Sequence, residues 1–486
     1  MFPQLTPGTT SVLPSWEQLT LRQQIAQMVV VRASGYLFDH QIQYPQWEPT
    51  QERLQHYVQN LGVGGVILLG GSAVEVGLRS RHLQDWSRVP LLISADIEEG
   101  VGQRFAGATW FPPPMALSAI AHHNLEHAIA LAEGMGSVTA EEGLAIGLNW
   151  VLAPVVDVNN NPQNPVINVR AFGETPDLVS QLTTAFLRGA YRHPVLTAAK
   201  HFPGHGDTAI DSHLELPVLP HSRQRLTEVE LAPFKAAIAS GVDAVMTAHL
   251  QIPALDAQYP ATLSHQILTE ELRLRLGFDG LIVTDALIMG AITNRYGANE
   301  VPVLAVEAGA DVLMMPVDPE GAIAAIYDAV ETGRLTPERI HASVERIWRA
   351  KQKVCSPAIA GTHSHAWEDL SPPPVHLEHL ARPEAIATAA EILQDSMQVY
   401  RPPLSRLDNL SWNQNLRNLV LVDDALNCAF MGRQAPAIAL PTQRGYRLTL
   451  VDSHTPPVEL DATSHDWQPT LLQLFIRSNP FRDSSG

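Results

Sequence analysis

The chain has 486 residues, enough for one large domain and a smaller one, and its 45% hydrophobic content supplies a sizeable core. Lys and Arg total 32 against 50 Asp and Glu, and the net charge of -18 repels phosphate backbones and anionic membranes, so neither nucleic acid nor membrane is an expected partner. Two cysteines, Cys355 and Cys428, are too few for a disulfide framework and suit a reducing compartment.

The first stretch, MFPQLTPGTTSVLPSWEQLT, has no basic segment and no apolar run, so it does not read as a signal peptide. No later stretch approaches the length of a membrane span, and a cytoplasmic location is expected. Short apolar runs rich in β-branched residues then recur at 27–33, 63–70, 89–98, 148–158, 193–202, 241–250, 278–287 and 308–316. Helix-like stretches such as LEHAIALAEGMGSVTAEEG and LTEVELAPFKAAIASG separate them, the pattern of buried parallel strands with crossover helices. Eight units predict a (β/α)8 barrel. A doubly wound open sheet competes, but it usually has fewer strands, and no glycine-rich dinucleotide fingerprint follows the first run.

After the eighth run, LTPERIHASVERIWRAKQKV has Thr336 placed as an N-cap, Pro337 at the first helical position and basic residues in its last turn, as expected of a closing barrel helix. The barrel is thus expected over 1–355, and the Ser-, Pro- and Gly-rich stretch 356–375 reads as a linker. Residues 376–486 read as a small α/β C-terminal domain, with a helix in HLARPEAIATAAEILQDSM and strands in LRNLVLVDD and GYRLTLVDS.

Barrel enzymes place their chemistry at the C-terminal ends of the strands, and ionisable residues gather there. Run three ends in Asp96 and Glu98, with Arg104 beyond; run four ends in Asp157; run five in Lys200 and His201; run six in His249; run seven in Thr284 and Asp285. The fifth run leads into KHFPGHGDTAIDSHLELP, where His201 and His205 have the spacing of a helical metal pair. Pro203 and Gly204 between them disfavour the helix such a pair needs, so no metal is expected. Asp211, two residues before His213, can hold that imidazole in one tautomer for acid/base work, or can merely close an Asx-turn. Asp285 is placed to be a nucleophilic carboxylate or a helix cap. Arg104 and Arg170 can grip hydroxyls or form structural ion pairs. A sugar acetal accounts for this set without metal or cofactor: a carboxylate for the anomeric carbon, a proton donor for the leaving oxygen, and charged groups for hydroxyls.

KHFPGHGDTAIDSH, together with VTDALIMGAI, DIEEGVGQR and NPQNPVINVRAFG, resembles the glycoside hydrolase family 3 β-N-acetylglucosaminidases of the NagZ type, over roughly residues 20–355. The resemblance implies a (β/α)8 barrel and a retaining reaction. It puts the nucleophile on Asp285, the histidine acid/base on His213 and that histidine's partner on Asp211. It also puts the binding of terminal N-acetylglucosamine on Asp96, Arg104, Arg170, Lys200 and His201. The implied partner is a small carbohydrate. The β-glucosidase branch differs in lacking the GDTxxDSH loop. Two departures stand out: Glu99 replaces a usual glycine, which is expected to narrow or reorganise the pocket edge, and VRAFG replaces Arg-Ser-Phe-Gly. The tail is shorter than the second domain of two-domain members, yet activity is expected without it because the catalytic loop sits on the barrel. Phosphorolysis, a β-glucosidase-like hydrolase and a non-catalytic sugar-binding protein remain the alternatives.

Overall fold

The structure is a computed structural model and describes residues 13–208, 216–355, 375–397, 416–422, 435–452 and 470–475. Eight parallel strands form one sheet: β1 (Val29–Ser34), β2 (Gly65–Leu69), β3 (Leu92–Ala95), β4 (Trp150–Val151), β5 (Leu196–Phe202), β6 (Ala244–Thr247), β7 (Leu281–Val283) and β8 (Leu313–Met314). Neighbours in sequence pair in register, β8 pairs back onto β1 (Val29 with Leu313), and a parallel bridge from Val283 to Val312 brings β7 to β8. The (β/α)8 expectation is met. Nearly every strand residue is buried, because one sheet face lines the barrel interior and the other lies under the helices. That is why the sequence shows unbroken apolar runs where a half-exposed sheet would show alternation.

The closing helix Pro337–Cys355 begins as expected, with the Thr336 hydroxyl accepting from the Arg339 N–H at 3.2 Å. Below the strands, Asp311 is fully buried and collects Arg273 at 2.6 Å and Ser343 at 2.7 Å. This ion-pair group lies before β8, at the end of the barrel that serves stability.

The chain divides into two compact units, residues 1–397 and 398–486, so the boundary falls later than position 376. The reason is packing. Helix Pro383–Ser396 lays Ile392, fully buried, into the barrel's core cluster. Just ahead of it, the Ala381 N–H donates to Glu142 at 2.7 Å and Arg382 pairs with Glu141 at 2.5 Å. The second unit contains a parallel sheet in which Arg417–Val422 lies between Arg447–Val451 and Thr470–Phe475, with helix Pro436–Gln443 beside it. The first two strands match the sequence reading; Thr470–Phe475 was not among the expected strands. Among the described residues no helix is long and apolar enough to cross a membrane.

Candidate active site

Strand ends bring the site together. β3 delivers Asp96 and Glu98, β4 leads to Asp157, β6 to His249 and β7 to Asp285, all on the C-terminal rim. β5 makes the largest contribution because its register slips: Lys200 pairs with Met246 and Phe202 with Thr247, so His201 is an extra residue against β6. Successive side chains of a regular strand point to opposite faces, and a bulge relaxes that rule. Lys200 and His201 therefore both enter one polar network.

Glu98 is the hub. Its carboxylate accepts from Arg170 Nε at 2.8 Å and Nη2 at 2.7 Å, and pairs with Lys200 Nζ at 2.6 Å. Lys200 Nζ also donates to Asp96 Oδ1 at 2.7 Å, and Arg104 Nε donates to the Asp96 carbonyl at 2.9 Å. Burial pushes the Glu98 carboxyl upward, but the charges and hydrogen bonds of Arg170 and Lys200 outweigh it and hold it well below the usual carboxylate range. Lys200 is likewise fully buried, and Asp96 and Glu98 overcome that burial to keep it cationic. Arg170 is thus in a bidentate ion pair, and that pair stands at the barrel mouth. Asp96, Arg104, Arg170, Lys200 and His201 are all brought into this cluster.

A second carboxylate, Asp157, is fully buried and orders the start of the glycine-rich loop. It accepts from the His201 N–H at 3.1 Å and the His205 N–H at 2.6 Å, and its Oδ2 lies 2.8 Å from His201 Nδ1. Arg170 Nη2 is 3.4 Å from the other ring nitrogen, Nε2, of His201. Burial lowers His205 to about 4 despite Asp157 and Asp285, so it stays neutral near pH 7. Its Nδ1 lies 2.8 Å from the Thr208 hydroxyl. Asp207 turns elsewhere, to His221 at 2.9 Å. Gly206 is needed for close approach, since a Cβ there would meet the Val158 carbonyl oxygen at 1.8 Å. Asn164 seals that contact, donating to the carbonyls of His205 at 2.8 Å and Gly206 at 2.9 Å. Asp211 and His213 lie outside the described residues.

Asp285 follows β7 and is partly exposed, its Oδ1 accepting from the Ala286 N–H at 2.7 Å. It does not cap the next helix, Gly290–Tyr296, whose N-cap is Met289. His249 steadies the same turn: Nδ1 is 2.8 Å from the Thr262 hydroxyl and Nε2 is 3.1 Å from the Ala286 carbonyl. Glu99 is 6% exposed, and its Oε2 accepts from the Trp110 indole N–H at 2.7 Å. The extra carboxylate therefore ties down the β3 loop.

This rim geometry has counterparts in known proteins. Residues 20–350 match the glycosyl hydrolase family 3 N-terminal domain, and residues 409–486 match the bacterial glycosyl hydrolase family 3 C-terminal domain. The chain belongs to glycosyl hydrolase family 3. It is 36% identical over 332 residues to a β-hexosaminidase A of Pseudoalteromonas piscicida, a match covering 62% of this chain and 55% of that protein. The chain thus spans just over half the length of that relative. Among solved structures it is similar to a family 3 β-N-acetylglucosaminidase of Paenibacillus sp. FPU-7, at 34% identity and TM-score 0.72, covering 89% of this chain and 80% of that one. It is also similar to the β-glucoside phosphorylase BglX, at 25% identity and TM-score 0.75, covering 91% and 76%.

Within this family 3 barrel, three residues do more than their sequence context signals. Glu98 and Asp157 were visible as polar strand ends, but their roles as hubs require knowing that β3, β4 and β5 are neighbours. Asn164 had a weak signal, an Asn directly before Pro165 in a loop following a site strand.

Proposed function

We propose that the chain is a retaining exo-β-N-acetylglucosaminidase. It removes terminal non-reducing N-acetylglucosamine from β-linked glycosides, with peptidoglycan fragments as the natural class. The observation that carries this reading is the Glu98-centred cluster standing on the same rim as Asp285. Lys200, Arg170, Asp96 and His201 offer fixed charges and donors to the hydroxyls of one sugar ring, and preorganised groups of this kind are worth most in a site shielded from water. Asp285 attacks the anomeric carbon and forms a glycosyl-enzyme, while His213, oriented by Asp211, protonates the leaving oxygen. His213 then takes a proton from the incoming water, which releases the sugar with retained configuration.

In this scheme His213→Ala slows substrates with poor leaving groups by about 10²-fold or more and spares those whose leaving group needs no proton. Rates on aryl glycosides that differ only at the 2-position test the sugar assignment. Preference for the 2-acetamido compound supports it, and equal or better turnover of the glucoside overturns it.

Phosphorolysis is the second reading, favoured by the likeness to BglX. A neutral imidazole acid/base repels an incoming phosphate less than a carboxylate would. The same panel run with phosphate separates the two, because a sugar 1-phosphate product identifies a phosphorylase.

A further inference from the structure

Asp207 and His221 flank, in sequence, the segment that carries His213, and no step of the chemistry above uses either of them. Asp207 Oδ2 lies 2.9 Å from His221 Nε2 and 3.5 Å from Arg225 Nη2. Accepting the glycosidase reading, we infer that Asp207, His221 and Arg225 staple the two ends of the acid/base segment together, and that Asp207 is a positioning residue for proton transfer by His213.

The staple has a fixed base. Arg225 Nη2 also lies 3.1 Å from Glu230 Oε1, and Glu230 is buried. Glu230 in turn packs on the start of the segment: Gly204 has φ +129°, and a Cβ there would meet the Glu230 Cβ at 2.8 Å. The helical turns Arg223–Arg225 and Leu226–Glu230 thus hold Asp207 through a guanidinium whose other partner rests against the Pro203–Gly204 turn. Asp207, His221 and Glu230 place ligand atoms within 4.8 Å of one another, the spacing of a cation site, and Arg225 brings the positive charge from within the chain.

The returning end is tied to the nucleophile's side of the mouth. The Leu219 N–H donates to the Gln251 carbonyl at 2.8 Å, and the Gln251 N–H donates to the Pro217 carbonyl at 2.9 Å. Gln251 is two residues beyond His249, whose ring reaches the Ala286 carbonyl next to Asp285. Contacts and chain therefore lead from Asp207 through His221 and residues 217–219 to the turn that presents Asp285. A retaining mechanism needs its acid/base and its nucleophile at a set separation, and a misplacement of about 1 Å costs about 10²-fold in rate. Asp207, His221 and Arg225 are each partly exposed, and pairs of that kind contribute little to global stability. What they fix is local: the span that the ends of the segment must bridge.

The test follows kcat/KM, which reports the step in which the leaving oxygen is protonated, on the full chain with two substrates. Phenyl N-acetyl-β-glucosaminide has a leaving group that needs the proton, and the 2,4-dinitrophenyl glycoside has one that does not. Asp207→Ala is expected to lower the phenyl value about tenfold and to change the dinitrophenyl value less than about twofold. A role in folding alone lowers both alike. His221→Ala is expected to reproduce the pattern, and the double variant to lose no more than either single one, because each breaks the same staple. Equal losses on both substrates, no loss on the phenyl glycoside, or losses that multiply in the double variant overturn the inference. Equal slowing of both substrates by His213→Ala sinks the acid/base reading itself, which is a separate result.

Discussion

Glu98 exchanges water for two cations, and its position is stable only while both stay. A buried carboxylate paired with Arg170 and Lys200 leaves uncompensated charge when it is neutralised, at a cost of about 3–5 kcal/mol. Glu98→Gln is therefore expected to lower unfolding stability by about that amount in denaturant titration, and to weaken substrate binding because Lys200 and Arg170 lose their anchor. His205 sets a pH limit. Its folded pKa of about 4 lies below the ordinary 6.5, so between these values the unfolded chain binds the extra proton. Stability is then full above about pH 6.5 and falls as pH drops toward 4, by about 3 kcal/mol for this one group. His205→Gln is expected to flatten that slope; an unchanged slope between pH 6.5 and 4 contradicts the assignment. At this scale the sequence was informative wherever an ionisable residue ended an apolar run, as Asp96, Lys200 and Asp285 do. It was silent on pairing, since Glu98 and Arg170 are 72 positions apart and meet only after the sheet forms.

Among the elements, the barrel strands were legible because burial on both faces makes them uniformly apolar, and even the two-residue strands β4 and β8 sit inside longer apolar runs. The bulge in β5 was not legible, because nothing in LTAAKHF marks which residue is extra. Helix Pro383–Ser396 shows the limit of a periodic pattern: an amphipathic stripe says that a helix needs a partner and not which one. Its partner is the barrel. Ending the chain after residue 375 removes Ile392 and the Ala381 and Arg382 contacts to Glu142 and Glu141, whereas ending it after Met397 keeps them. The shorter form is expected to melt several degrees below the longer one, as loss of a buried aliphatic side chain and its neighbours costs about 2–5 kcal/mol. Equal melting temperatures contradict that allegiance.

For the whole molecule, the closed barrel gathers groups from β3 to β7 on one rim and leaves the Asp311 ion-pair group at the opposite end. The two charge-rich regions look alike in composition and differ in position, which only strand direction reveals. The proposed chemistry requires Asp285 to form a covalent glycosyl-enzyme with an N-acetylglucosaminide. Incubation with 5-fluoro-N-acetylglucosaminyl fluoride followed by peptide mass mapping tests it directly. One fluorinated N-acetylhexosaminyl group on the peptide containing Asp285, absent in Asp285→Ala, is the predicted result. An adduct on another residue, or sustained turnover by Asp285→Ala, would contradict it.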